Sequence, residues 1–160
     1  MTLQALEASA VGTLVRESLY GFPILVTLHL IGLALSIAPL LWFDLRLTGV
    51  ALATEPVSRV YRQVIPWAAT GFVVAGVTGV LLFVGYASSA AANPYFWTKL
   101  AALLLAGANA AFYHAFTKRT RSAWDTRAVP SPAARAAGVI SIVCWATVIL
   151  CGRMMAYTMY

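Results

Sequence analysis

The chain holds two histidines, His29 and His114, and each lies inside an apolar run long enough to cross a bilayer. Charged side chains at that depth cost about 2.5–3.5 kcal/mol on insertion scales, so an ionisable group there marks a site with a partner. Imidazole nitrogens ligate haem iron and transition metals, or exchange hydrogen bonds with neighbouring helices.

His29 has Gly32 and Ser36 at i+3 and i+7 on its own helical face. Small residues mark helix–helix contacts in membranes, so His29 is expected to face the bundle, about 12 Å from one end of its span. His114 shares its face with Gly107, Ala110 and Ala111 and lies about 28 Å from that same boundary, beside Lys118 and Arg119. Two axial ligands of one haem need one height. A difference of roughly 15 Å, which helix tilt changes by a few ångström, argues against a haem held by both histidines.

The last apolar run offers other partners. Cys144, Thr147, Cys151, Met154 and Thr158 fall on one stripe, and Met154 falls near the level of His29. Two sites are therefore expected as alternatives: a b-type haem on His29 and Met154, or copper on His29, Cys151 and Met154. Beside them stands a packing reading, with methionine and cysteine as adaptable fillers and His29 a neutral imidazole donating to a neighbouring helix. His114, at the basic rim, reads as solvated or bound to lipid phosphate, with cofactor binding as the alternative. Arg153 and Lys99 lie near the ends of their spans, where they snorkel to head groups or meet haem propionates.

These residues sit in a chain of 160 residues that is 61% hydrophobic and 10% charged, with mean hydropathy +0.82. Soluble domains run at about 45–50% apolar and about 25% charged, so an integral membrane protein is expected. The net charge of +6 resides in the segments between apolar runs, as topology-setting arginines do, which argues against nucleic acid as a partner. Cys144 and Cys151 stand about 10 Å apart on a helix, beyond the reach of about 7 Å that a disulfide needs. Glu7, Arg16 and Glu17 make the N-terminal stretch unlike a secretory signal. No phosphate loop, metalloprotease helix, nucleophile elbow, carboxylate pair or mid-span acid appears. That pattern disfavours an enzyme acting by itself and a proton-coupled transporter.

Four segments, 21–43, 66–86, 95–116 and 138–157, approach the roughly 20 residues of a spanning helix. The expected fold is an all-α transmembrane four-helix bundle. An amphipathic surface helix over 2–19 precedes it, its stripe made of Leu3, Leu6, Ala10, Leu14 and Leu19. Arg46, Arg59 and Arg62 follow the first span, and Lys118, Arg119, Arg121, Arg127 and Arg135 follow the third. The positive-inside rule puts those loops in the cytoplasm and both termini outside. Trp42, Trp67, Trp97, Tyr20, Tyr86, Tyr95, Tyr157 and Tyr160 supply an interfacial belt. Gly71, Ala75 and Gly79 form a packing ladder, and Asn109 is placed for an interhelical hydrogen bond. Asp44 and Arg46, two apart, pair with other helices or with lipid.

The runs Thr27-Leu28-His29-Leu30-Ile31-Gly32, Trp42-Phe43-Asp44-Leu45-Arg46 and Asn93-Pro94-Tyr95-Phe96-Trp97-Thr98-Lys99-Leu100, followed by Ala106-Gly107-Ala108-Asn109-Ala110 and His114, resemble a family of small uncharacterised bacterial four-helix membrane proteins. That family is similar in outline to copper-resistance D-type and cytochrome-b-like membrane proteins. The resemblance covers about residues 18–153. Its cytochrome-like side implies haem b, and its copper-resistance side implies copper movement. Where the pattern carries a glutamate before the Thr-Leu-His run, this chain has Val26.

The expectation is thus a multi-pass subunit of a bacterial inner membrane. It binds b-type haem through His29 and serves electron transfer among other membrane subunits. A copper-handling protein, or an accessory subunit without cofactor, are the alternatives.

Overall fold

The computed structural model describes residues 2–158, without the side chains of residues 117 and 118. Tyr160 of the expected aromatic belt and the Lys118 side chain of the basic cluster therefore lie outside the described residues. The described chain is helical throughout, in the order α1 (Leu3–Glu7), α2 (Ala10–Glu17), α3 (Gly21–Thr48), α4 (Val57–Gly85), α5 (Ala87–Ala92), α6 (Pro94–Phe112) and α7 (Pro132–Thr158), with a π-helical turn over Tyr113–Thr117 and a 3-10 turn over Lys118–Ala123 between the last two.

Three of these helices, α3, α4 and α7, are long and apolar enough to cross a membrane. In the most apolar stretch of α3, 11% of residues are buried, so most of its side chains face outward, as a lipid-facing helix requires. The third expected span corresponds to α6, 19 residues long. Lys99 and Asn109 lower its hydropathy, and it does not stand with the other three. The helices also outrun the expected spans: α3 continues to Thr48 and α4 begins at Val57, carrying Pro39 and Pro66 inside them. Each interior proline leaves the carbonyl four residues before it without its helical amide donor; one turn beyond Pro66, the Thr70 hydroxyl donates to the Pro66 carbonyl at 2.9 Å.

The N-terminal helix differs most from expectation. It is broken at Ala8–Ser9, where the Ser9 hydroxyl accepts from the Gly12 amide at 3.2 Å and starts a new helix. Gly12 and Val15 are its buried residues, and a Cβ on Gly85 would come within 2.7 Å of the Val15 side chain. Leu14 and Leu19 of the expected stripe are 66% and 78% exposed, on the side that a surface helix turns to lipid. A contact with the end of α4 fixes the rotation of α2, as Arg16 donates to the Gly85 carbonyl at 3.2 Å, while Glu7 of α1 accepts the Ser88 amide of α5 at 2.7 Å.

The tightest pair is α3 with α4. A Cβ on Gly71 would lie 2.6 Å from the Gly32 carbonyl oxygen, and one on Gly32 would lie 2.6 Å from the Ala75 nitrogen. Backbone meets backbone there because both helices carry small residues at that level. Helix α7 lies on the other side of α3, where Gly138 leaves space for the Asp44 carbonyl. Helix α6 packs on α7, and Asn109 donates to the Ala137 carbonyl at 2.8 Å, the interhelical bond its position predicted. Cys144 is a free thiol in the core with Ala102, Ala106, Trp145 and Val148.

At the opposite end of the helices from α1, α2 and α5, the connecting segments are tied together by Arg46. This residue is fully buried. Its Nε donates to the Glu55 carbonyl at 2.7 Å, and its Nη2 donates to the Arg127 carbonyl at 2.8 Å and the Asp125 carbonyl at 3.5 Å. Asp125 in turn caps α4, accepting the Ser58 amide and hydroxyl, each at 2.7 Å. A carboxylate at a helix N-terminus is favoured both by the free amides and by the helix dipole. Asp44 pairs with another helix, accepting the Ser141 hydroxyl of α7 at 2.6 Å.

Candidate functional site

His29 projects from α3 towards α4, as Gly32 and Ser36 on its face predicted; both of those residues are buried. Its ring rests on Gly79, where a Cβ would lie 3.1 Å from Cε1. Nδ1 is 2.9 Å from the Ala75 carbonyl oxygen and 3.1 Å from Thr78 Oγ1. The Thr78 hydroxyl has one proton, and it goes to the Val74 carbonyl at 2.7 Å. The Ala75 carbonyl is purely an acceptor. Nδ1 therefore carries the ring proton, and in the neutral ring Nε2 carries the lone pair. A carbonyl behind one nitrogen, fixing the tautomer and presenting the other, is the arrangement that orients metal-ligating histidines.

Lys99 approaches the same region from α6. A Cβ on Gly152 of α7, the residue after Cys151, would lie 3.6 Å from its Nζ, and the ammonium lies within electrostatic range of His29. By helical rise, Lys99, Cys151 and His29 lie about 8, 10 and 12 Å from the ends of their helices on the side of α2 and α5, so the three share one level. Two expectations divide here. Arg153 remains exposed and folds over Tyr157, with Nη2 3.2 Å from the phenol oxygen and the guanidinium 5.2 Å from the ring centroid. Lys99 does not snorkel outward; it turns in against α7, because Gly152 leaves room for it.

Cys151 is buried and Met154 half-buried on the inward stripe of α7. The Met154 carbonyl accepts the Thr158 hydroxyl at 2.9 Å, and Thr158 accepts from the Asn93 amide at 2.8 Å, which fixes the end of α7 against the start of α6. Among the described residues no three His, Cys, Asp or Glu side chains gather as a metal cage.

His114 stands elsewhere. It lies in the π-helical turn, exposed, with Nε2 3.4 Å from Tyr61 Oη and its ring edge-on to Tyr61 and Tyr113, each at 5.7 Å. Helix α4 serves as a ruler. His114 meets it at Tyr61 and His29 meets it at Ala75, fourteen residues on, or about 21 Å along the axis. The two imidazoles belong to separate sites, as their depths in sequence predicted.

Sequence reasoning missed Lys99 and Thr78 as neighbours of His29. Thr78 follows from the ladder Gly71, Ala75, Gly79, since it lies on that ladder's edge. The inward turn of Lys99 has no comparable signal, because Gly152, which admits it, is 53 residues away in the chain.

The sequence profile of a family of unknown function, DUF6644, matches residues 11–158, and the chain belongs to that family. No curated protein and no solved structure is a match.

Proposed function

We propose that this member of a family without an assigned activity is a membrane-embedded subunit that binds b-type haem through His29 and carries electrons within a larger complex. The observation that carries the reading is the Nδ1–H bond to the Ala75 carbonyl at 2.9 Å, which leaves Nε2 with its lone pair. Haem fits the remaining donors. Met154 offers a thioether on the inward face of α7, and Lys99 and Arg153 offer cations for propionates at and above the level of His29. Among the described residues α4 and α6 share no extended packing; Phe83 and Phe96 bridge them, stacked at 5.3 Å. The side of the bundle between these helices is thus where a flat ring would enter. When bound, the haem supplies one-electron chemistry. The protein supplies the orienting carbonyl, the apolar wall and the counter-charge. His114 has no part in this site.

The reading includes four spans, with α6 and its π-helical extension as the fourth. Their 19 and 5 residues give about 36 Å, enough for a bilayer core of about 30 Å. Arg46, Arg59, Arg62, Arg119, Arg121, Arg127 and Arg135 gather at one end, which supports a cytoplasmic position for that end, periplasmic termini and a bacterial inner membrane. Copper on His29, Cys151 and Met154 has no specific observation in its favour.

An absorbance spectrum of protein purified from haem-supplemented cells is the test. The expected result is a Soret band that His29→Ala removes and His114→Ala leaves in place. Folded protein with no Soret band overturns the proposal and favours an accessory subunit in which His29 does no more than tie α3 to α4.

A further inference from the structure

A second site lies on the outer surface of α3 and α4, near the end where Arg46 sits. Above the Gly32–Gly71 contact the two helices touch. Towards the other end the pair stays packed through Phe43 and Leu47 against Val57, Val60 and Val64, and beside that core its surface carries a groove of about 610 Å³. Its walls are Pro39 and Trp42 of α3 and Val64 and Trp67 of α4, and the segment between the helices closes it with Leu52 and Glu55. Trp42 and Trp67 are 55% and 61% exposed, so two indoles stand on its rims at the level where indoles mark a membrane interface.

The polar groups of the groove are ordered. Glu55 lies just before α4, and Arg59, Gln63 and Trp67 follow at successive turns of one helix face. Going from the helix end towards the bilayer centre, the groove presents a carboxylate, a guanidinium, an amide and an indole, spread over about 18 Å. Glu55 and Arg59 form an ion pair at 3.0 Å, so the polar end is neutral in sum and dipolar in arrangement. A purely anionic head group meets the guanidinium but is repelled by the carboxylate. A head group that satisfies both carries one charge of each sign, with the cation further from the acyl chains.

We propose that this groove is a binding site for a zwitterionic phospholipid with a primary ammonium, phosphatidylethanolamine. Its ammonium donates to Glu55, its phosphate accepts from Arg59, a glycerol ester carbonyl accepts from Gln63, and an acyl chain lies along Pro39, Val64 and Trp67. The quaternary ammonium of phosphatidylcholine has no N–H to donate to Glu55 and is discriminated against.

The test uses delipidated full-length protein in detergent. It is offered equimolar phosphatidylethanolamine, phosphatidylglycerol and phosphatidylcholine with matched acyl chains, together with a ubiquinone, and bound species are read by native mass spectrometry. One charge-assisted hydrogen bond corresponds to about tenfold in retention. The expected result is about tenfold retention of phosphatidylethanolamine over each of the others. Glu55→Gln shifts the preference to phosphatidylglycerol. The double variant Glu55→Arg/Arg59→Glu keeps an ion pair in reversed order and loses the preference. Trp67→Ala lowers retention of all three phospholipids alike. Equal retention by the wild type, a wild-type preference for phosphatidylglycerol, ubiquinone as the retained species, or an unchanged preference in the reversed pair would each overturn the proposal. The site does not depend on the His29 reading.

Discussion

Replacing Arg46 with alanine should cost about 3–5 kcal/mol of stability. The side chain is among the largest that are fully buried. Two of its hydrogen bonds are short, 2.7 Å from Nε to the Glu55 carbonyl and 2.8 Å from Nη2 to the Arg127 carbonyl. Hydrogen bonds from a charged group contribute about 1.5–3 kcal/mol each. Against them stands the burial of a cation whose Nη1 has no partner among the described residues. Alanine removes the donors, leaves both carbonyls unpaired and opens a cavity, so the carbonyl and cavity terms add. Arg46→Lys is the informative companion. One ammonium on a flexible stem does not span carbonyls that approach Nε and Nη2 from two different segments, so lysine should recover less than half of the loss. Equilibrium unfolding in mixed micelles with increasing denaturing detergent measures the difference. Limited proteolysis at 49–56 and 124–131 reports whether both segments loosen together. An Arg46→Ala protein within 1 kcal/mol of the wild type, or one that frees a single segment, would refute the idea that this guanidinium is the common tie.

Two further stability changes follow from the helix contacts. Gly71→Ala puts a Cβ 2.6 Å from the Gly32 carbonyl and should destabilise by about 1–3 kcal/mol through overpacking. Gly76→Ala, one turn away with nothing within 4 Å of the added atom, should be neutral or slightly stabilising; thermal unfolding in detergent separates them. Asp125→Ala removes the acceptor for the Ser58 amide and hydroxyl and should cost about 1–2 kcal/mol. It should also speed amide exchange in the first turn of α4, read by hydrogen–deuterium exchange.

What was legible in the sequence depended on local spacing. The face of His29 followed from Gly32 and Ser36, the α3–α4 seam from Gly71 and Ala75, and the α6–α7 bond from Asn109, because each signal repeats at the period of the helix that displays it. The separation of the two histidines followed from counting residues. The rest was set by distant chain. The Leu14 and Leu19 stripe says nothing of the opposite face, where Gly12 and Val15 seat α2 against Gly85. The break at Ser9 did leave a local trace, since serine is a favoured N-cap residue. Lys99 and Arg153 are alike in type and position, and a glycine on another helix decides that one turns in. Asp44 and Arg46 gave a general expectation of pairing across helices. The carbonyls that hold Arg46 come from Glu55, Asp125 and Arg127, and no pattern around residue 46 announces them.

The reach of Arg46 has a consequence for the order in which the protein is made. Its last short hydrogen bond is to a carbonyl 81 residues further along the chain. At synthesis rates of about 5–20 residues per second, that partner emerges some 4–16 seconds after the arginine does. Through that interval the guanidinium lacks part of its final shell. A nascent chain halted before Arg127 is therefore one whose first two long helices are complete while the arginine in the last turn of the first still waits for its second short acceptor.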